Sequence, residues 1–542
     1  MRWNADIPMS ALWSFPRAGA PRPTLLGDMK GASSVAHLTG RNLAAAESMT
    51  SAFSPWAFAP ADLRRFIDLE FASGINRPVI HTSVHQPVDD KLPGLSLAIF
   101  GQYFNRHEAW GEMARPWIDY IARSAFMLQQ GRNHADVAYF YGEERPVTAL
   151  ELYRPLGDLP THYAYDFLGA DALLKELSVD RGMLVSGGGA RYRVLYLGGD
   201  SHHLTRAVLE RIAALTQAGA TVVGEPPGDS PSLADDQAAV KALIDRLWAG
   251  GDVTHVGQGL VIRGNDVESA LARLGVARDF EVLDAGPGSP VLFVHRDLPD
   301  GHIYYIDSRA PGASRVTARF RVHGLVPELW RADTAAREPV SYRLTGDVTE
   351  IPLEFARDES YFIVFRAPAH ASSRAVSSPV ERTVLEVAGP WHIEFQANRG
   401  APASIDMPAL RALSESENPG VKYFSGTATY RTTLSVPGAS REPMVLDLGA
   451  VGDLAQVLVD GKSAGISWHA PYRHVVSLKP GRHILEVRVA DTWVNRLIGD
   501  AQPGAGKITY TTLPTYLPDA PLRPAGLIGP VRLLERTAGR QP

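Results

Sequence analysis

The sequence predicts a multidomain chain that is α/β in its first half and β in its second. Three observations carry this. Up to about residue 287, short β-branched and aromatic runs alternate with amphipathic helical segments. From about residue 288 the helical period gives way to alternation of period two, broken by turn residues. A chain of 542 residues is also too long for one ordinary core, so two to four domains are expected.

Four regions follow in order. In residues 1–155 the expected strands are "LAAAE" (43–47), "PVIHTS" (78–83) and "DVAYFYG" (136–142), with a further one near "ADIPMSALW". Between them, "PADLRRFIDLEFASG" starts at Pro60, places Leu63, Phe66, Ile67 and Phe71 at helical spacing and stops at Gly74. A second helix is expected over "HEAWGEMARPWIDYIARSAFMLQQG", from His107. Strands separated by helices imply parallel pairing, and ligands of such sheets lie at the carboxyl ends of the strands. Residues 156–287 repeat the pattern as a doubly wound accessory domain, through "RYRVLYLGGD" and "LTRAVLERIAALTQAGATVVG". "LYLGGD" has neither GxGxxG spacing nor GK[ST], so nucleotide binding is disfavoured there. In residues 288–370, "HIYYIDS", "VTARFRVHG" and "ESYFIVFRAP" alternate as a small β unit, followed by the linker "APAHASSRAVSSP". Residues 380–542 are β-rich: "TATYRTTLSV" and "GRHILEVRVADTW" alternate, and Asp460-Gly461 reads as a hairpin turn, together predicting an antiparallel sandwich.

Composition excludes several functions. The net charge of −5 and pI near 6.4 give no electrostatic reason for nucleic acid or an anionic membrane as partner. Zero cysteines exclude disulfides, thiolate metal sites and cysteine nucleophiles. No apolar run reaches the length of about 18 residues that a spanning helix needs. The opening "MRWNADIPMSALW" lacks the pattern of a signal peptide and reads as the interior of a domain.

The chemistry concentrates in the first region. Glu47 follows three alanines at the expected end of a strand, where it is available as a general base or a metal ligand, or as a salt-bridged residue at a rim. Ser48 and Thr50 are expected to give its carboxylate a polar setting. His81 and His85 flank another strand end; without the H-E-x-x-H arrangement, hydrogen bonding to hydroxyl groups suits them better than zinc. Trp56, Tyr103, Phe104, Trp110, Trp117 and Tyr120 lie near Asn105 and Arg106, a mixture of aromatic faces and polar groups that suits a sugar. Trp117 and Tyr120 read better as core residues of a helix.

At these residues the chain resembles a known family. "GRNLAAAESMTSAFSPW", "FASGINRPVIHTSVHQP", "GQYFNRHEAWGEMARPWIDYIARSAFMLQQGRNHADVAYFYGE", "VKYFSGTATYRTT" and "LDLGAVGDLAQVLVDGKSAGISWHAPY" together resemble the family-106 glycoside hydrolases, the α-L-rhamnosidases. The resemblance implies a partial (β/α)8 barrel over residues 1–155, a flavodoxin-like α/β accessory domain, a small β domain and a galactose-binding-like β-sandwich. It implies inverting, calcium-assisted release of terminal α-L-rhamnose from polysaccharides or glycosides, with Glu47 as base. His81, His85, Asn105 and Arg106 would line the sugar pocket, with Trp56 or Trp110 as stacking walls. The family's "PMGEFW" stands here as "PMSALW" (8–13), so its acidic residue is replaced by Ala11 or Leu12. The matched segments correspond to the C-terminal portion of the family. A truncated form is therefore expected, inactive alone, with the second carboxylate and most calcium ligands in a separate N-terminal barrel half that could act as a partner. By resemblance, the setting would be the bacterial periplasm or exterior. A reading of another class is a non-catalytic carbohydrate-binding protein acting through the sandwich segments "KYFSG", "SWHAPY" and "DTWVNRL", in which Trp468 and Trp493 are either stacking platforms or core residues.

Overall fold

A computed structural model describes residues 2–16, 19–100, 104–284, 290–377, 379–438 and 443–537. Tyr103 and the expected boundary at 287/288 lie outside these residues. The chain divides into two compact units: Met1–Ser48, Phe66–Val79 and Ala122–Ala375 form the first, and Met49–Arg65, Ile80–Ile121 and Val376–Pro542 the second.

The chain opens as β1 (Met9–Trp13), α1 (Pro23–Leu38), β2 (Ala45–Thr50), α2 (Pro60–Ala72) and β3 (Arg77–Ile80), and the three strands form one sheet in the order β1-β2-β3. Helix α2 begins at Pro60, whose fixed φ suits a first turn, and ends just before Gly74, whose φ of 88° is the left-handed conformation that glycine adopts without a Cβ penalty. Strand β2 continues three residues past Glu47, so that the carboxylate stands within the strand rather than at its end. The helix expected from His107 starts only at Arg115, as α3 (Arg115–Leu128). Pro116 explains the late start: its ring is tolerated in a first turn and would clash deeper in a helix.

The strand over "DVAYFYG" differs from expectation. As β5 (Val137–Gly142), after the short β4 (Arg132–Asn133), it pairs in parallel with β6 (Tyr165–Leu168) and β7 (Val194–Asp200), not with β1 to β3. The sheet continues through β8 (Thr221–Val223), β9 (Val253–Val256) and β10 (Gly259–Ile262) in the order β9-β10-β8-β7-β5-β6. Alternate residues of β5 and β7 enter opposite cores. Ala138, Phe140, Leu195 and Leu197 pack with Val208 and Ile212 of α4 (Arg206–Gln217) and Val240 of α5 (Gln237–Leu247). Val137, Tyr139, Val194 and Tyr196 pack with Leu271 of α6 (Val267–Arg273). Both faces are covered, which is why β5 and β7 read as continuous apolar runs.

Two larger antiparallel sheets also belong to the first unit, beside a small one over residues 177–192. Hairpin β11 (Val291–Leu298) and β12 (Gly301–Ser308) lies between β4 and the later strands of one sheet, and β13 (Ser314–Phe320) with β15 (Val348–Phe355) belongs to the other; β14 (Leu325–Trp330) and β16 (Ser360–Pro368) extend the first. Their shared core contains Tyr304, Ile306, Phe320, Ile351, Tyr361 and Phe365. The expected linker is partly structured, since Ser373 and Arg374 pair with Arg343 and Tyr342.

In the second unit, a six-stranded sheet includes β17 (Trp391–Phe395), β18 (Gly426–Val436), β20 (Leu454–Val459), β21 (Lys462–Ser467) and β23 (Gly481–Asp491). A four-stranded sheet includes β19 (Met444–Asp447), β22 (Arg473–Val476) and β24 (Arg532–Thr537). The pairings are antiparallel, and inward residues of both sheets, Ile393 and Val487 from one and Leu446 and Leu533 from the other, share a core. The β20–β21 hairpin turns at Asp460-Gly461, both at positive φ (50° and 74°), as a two-residue turn requires.

Candidate functional site

Strand β2 supplies the candidate carboxylate. Its residues are buried except Glu47, which is half-buried. Alternation along the strand sends Ser48 to the opposite side, where its hydroxyl lies 2.6 Å from Glu70 Oε2 and 3.1 Å from the Ala46 carbonyl. The expected support of Glu47 by Ser48 is thus not what Ser48 does. It holds a second carboxyl group instead.

Glu70 is fully buried, and burial pushes its carboxyl well above the usual glutamate range, against the opposing effect of the Ser48 hydrogen bond. One serine hydroxyl has one proton to give. The Ser48 hydroxyl donates to Glu70 Oε2, with the Ala46 carbonyl as its more distant acceptor. Glu70 Oε1 has no hydrogen-bond partner among the described residues. A carboxyl raised by burial keeps its proton in the folded state over a pH range where the unfolded chain has released it. Stability should fall as pH rises from the ordinary glutamate pKa toward the raised value, at up to about 1.4 kcal/mol per pH unit for one proton. Glu70→Gln, which cannot titrate, is expected to flatten that slope in thermal unfolding measured as a function of pH. An unchanged slope would place the titrating group elsewhere. Glu70 was recognisable in principle, since it continues the buried stripe of Leu63, Phe66, Ile67 and Phe71 on α2.

In the second unit the sequence-predicted residues separate into open and closed groups. His81 follows β3 and is half-buried, and its Nδ1 has no partner among the described residues. The same holds for Asn105 Nδ2, while Asn105 Oδ1 accepts from the His107 backbone at 2.8 Å. His85 is exposed. Arg106 is already engaged: its Nε donates to Asp89 at 2.6 Å and its Nη2 to the Gln86 carbonyl at 2.7 Å, tying down the 86–89 loop.

The tryptophans proposed as stacking walls are interior. Trp56 is completely buried against Trp493 and Leu497, flanked by Val84, Leu92, Ala109 and Tyr516. Trp110, 2% exposed, packs edge-on to Trp117 at 5.7 Å and to Phe104 at 6.1 Å, and Phe104 stacks on Trp117. Neither indole offers an open face to a sugar in this conformation. Trp468 and Trp493 are buried as well. Trp493 donates to the His107 carbonyl under the Arg399 guanidinium, and Trp468 packs on Tyr120 near Arg64. The sequence did not single out Glu108, buried beside Asn105 and Arg106, whose carboxyl burial also pushes well up.

Among the described residues, the groups of three or more side chains that could converge on a metal ion are His134, Asp279 and His295, and His295, Asp297 and His302, all in the first unit. Imidazole predominates in both. Neither offers the six to eight oxygen ligands that calcium takes.

Comparison with known proteins places the chain. The α-L-rhamnosidase family, glycoside hydrolase 106, matches residues 1–344. The structure of a rhamnosidase from Novosphingobium sp. PP1Y is 55% identical and superposes with a TM-score of 0.95, covering 99% of this chain and 52% of that one. A curated protein of Formosa agariphila, whose name provisionally calls it a beta-glucuronidase, is 35% identical over 387 residues, 70% of this chain and 31% of its own length. The chain thus spans about half of the solved rhamnosidase and less of the curated relative. No helix among the described residues is long and apolar enough to cross a membrane. With the family match over more than half of its length, the chain belongs to the α-L-rhamnosidase family of glycoside hydrolases.

Proposed function

We propose that this chain carries the general base of an inverting hydrolase of terminal α-L-rhamnosides, and that the base is Glu47. The observation that carries the reading is the opening of β2: within an otherwise buried strand of the family-matched region, the half-open residue is a carboxylate. An inverting hydrolase needs two carboxyl groups about 6.5–9.5 Å apart. One, ionised, takes a proton from water as the water oxygen bonds to the anomeric carbon. The other protonates the departing glycosidic oxygen as the old C–O bond breaks. Glu70 is unsuited to the second part, because it is fully buried and bound to Ser48. The chain spans 52% of the solved rhamnosidase, and the reading assigns the acid to the part of such an enzyme outside this chain. It likewise treats β1, β2 and β3 as part of a (β/α)8 barrel, the β5–β10 sheet as flavodoxin-like and the sandwich as galactose-binding-like.

In the second unit, the unpartnered His81 Nδ1 and Asn105 Nδ2 are the groups proposed to meet substrate hydroxyls, because buried polar atoms without partners are costly until a ligand pairs them. The reading leaves the calcium that the family resemblance implies to ligands outside this chain, since the two imidazole-rich groups among the described residues do not suit it.

The test is the anomer first released from 4-nitrophenyl α-L-rhamnoside, followed by proton NMR. The purified chain is assayed alone and mixed with a polypeptide covering the part of the solved rhamnosidase that it does not span. Initial formation of β-L-rhamnose supports the inverting reading. Initial formation of the α anomer, or no turnover in either arm, would overturn it.

A further inference from the structure

The β11–β12 hairpin, in the first unit, carries three side chains on one face. His295 and Asp297 are two residues apart on β11, and His302 on β12 is directly opposite Asp297 in the register. Their polar atoms converge. His295 Nε2 lies 3.0 Å from His302 Nδ1, His302 Nδ1 lies 3.2 Å from Asp297 Oδ1, and His295 Nε2 lies 3.5 Å from the same oxygen. Tetrahedral zinc, with bonds of about 2.0–2.1 Å, holds its ligand atoms about 3.3–3.4 Å apart. The three edges bracket that separation. We propose that His295, Asp297 and His302 form a binding site for a divalent transition-metal ion, with zinc as the ion their chemistry suits.

The surroundings support the assignment independently of the spacing. His295 is 1% exposed, and its other ring nitrogen, Nδ1, contacts the fully buried Asp279 at 3.0 Å. Tyr304 donates to Asp279 at 2.8 Å and fixes it. With Nδ1–H given to Asp279, His295 presents an Nε2 lone pair to the cluster, the carboxylate–histidine arrangement that orients metal-bound imidazole. A proton on His302 Nδ1 would then have to serve two acceptors, His295 Nε2 and Asp297 Oδ1. A cation satisfies all three atoms at once. Asp297 Oδ2 is held at 2.9 Å by His134 Nδ1, whose Nε2 accepts from Arg321 at 2.8 Å, so the carboxylate is braced without using Oδ1. Access exists as well: Asp297 and His134 line a cavity of about 690 Å³ within the same unit, and the Asp297 and His302 side chains are 43% and 32% exposed. Three protein ligands leave one tetrahedral position for water. Two imidazoles and one carboxylate suit zinc far better than calcium or magnesium. This site does not depend on the hydrolase reading.

The test uses the untagged full chain, stripped with a chelator, dialysed, and titrated with zinc against a chromophoric chelator at neutral pH. One equivalent of tightly bound zinc is expected, and bound cobalt should give the intense visible bands of a tetrahedral ion. His302→Gln and Asp297→Asn, at partly exposed side chains, should each lower zinc affinity by more than about tenfold, with circular dichroism reporting that the variants fold. Excess calcium or magnesium should not compete. No stoichiometric zinc uptake by the folded chain, uptake unaltered in both variants, or displacement by calcium would overturn the proposal.

Discussion

In the chain mixed with a polypeptide covering the part of the solved rhamnosidase that it does not span, replacing Glu47 with glutamine is expected to lower kcat/KM for 4-nitrophenyl α-L-rhamnoside by about 10²–10⁴-fold, the usual contribution of a positioned general base. The effect should fall on kcat. A half-buried glutamate and glutamine have nearly the same shape, so substrate affinity and melting temperature should change little. Azide separates the base from the acid role. It attacks the anomeric carbon without needing deprotonation, so it should restore turnover to Glu47→Gln if the lost group activates water. An acid would be missed at the leaving oxygen instead, and its loss should spare substrates whose leaving group, like 4-nitrophenolate, departs unprotonated. Turnover unchanged by Glu47→Gln would remove the residue from the chemistry altogether. Loss of activity with loss of folding would be distinguished by circular dichroism on the same preparation.

The order of elements was readable because their signals are local. Pro60, the apolar stripe of α2 and Gly74 mark a helix by geometry that does not depend on the rest of the chain. Asp460-Gly461 fixes a hairpin for the same reason. Assigning strands to sheets was harder. Val137–Gly142 is a buried apolar run between helices, and such a run looks the same in a barrel and in a doubly wound sheet. Its neighbours decide, and they lie near residues 165 and 194. Burial was similarly hidden. Trp56 lies in a Pro- and Ala-rich turn and Trp110 among polar residues, and nothing local announces that Trp493 and Leu497 cover the first or that Phe104 and Trp117 enclose the second. The candidate metal site needed a register: His295 and Asp297 share a face by alternation, but His302 joins them only because the hairpin turns after Leu298.

The largest expected loss of stability follows from one arginine in the second unit. Arg523 Nη2 donates to Asp453 at 2.6 Å and to Asp62 at 2.8 Å, while Nη1 donates to the Ala57 carbonyl at 2.9 Å. Asp453 is 3% exposed, and its other oxygen accepts from the Thr492 backbone. Asp491, also buried, has its carboxyl pushed well up by burial first and by the charge of Asp453 second. Arg523 is therefore a cation bonded directly to this acidic group. Arg523→Met keeps much of the side-chain volume and removes the charge, and should destabilise the unit by about 3 kcal/mol at pH 7, the low end for breaking a buried pair because Asp62 is partly solvated. The pH dependence identifies the cause. Burial already raises the Asp453 carboxyl in spite of Arg523, and loss of the arginine raises it further. A raised carboxyl makes the folded state bind more protons than the unfolded state between the two pKa values, so stability rises as pH falls through that window. The deficit of the variant in urea unfolding should accordingly shrink as pH is lowered from 7 toward 4, where Asp453 takes up a proton. Adding Asp453→Asn should recover part of the loss at pH 7, through the same removal of an unbalanced charge. A deficit that is independent of pH, with no recovery in the double variant, would assign the stabilisation to packing of the arginine stem and not to its charge.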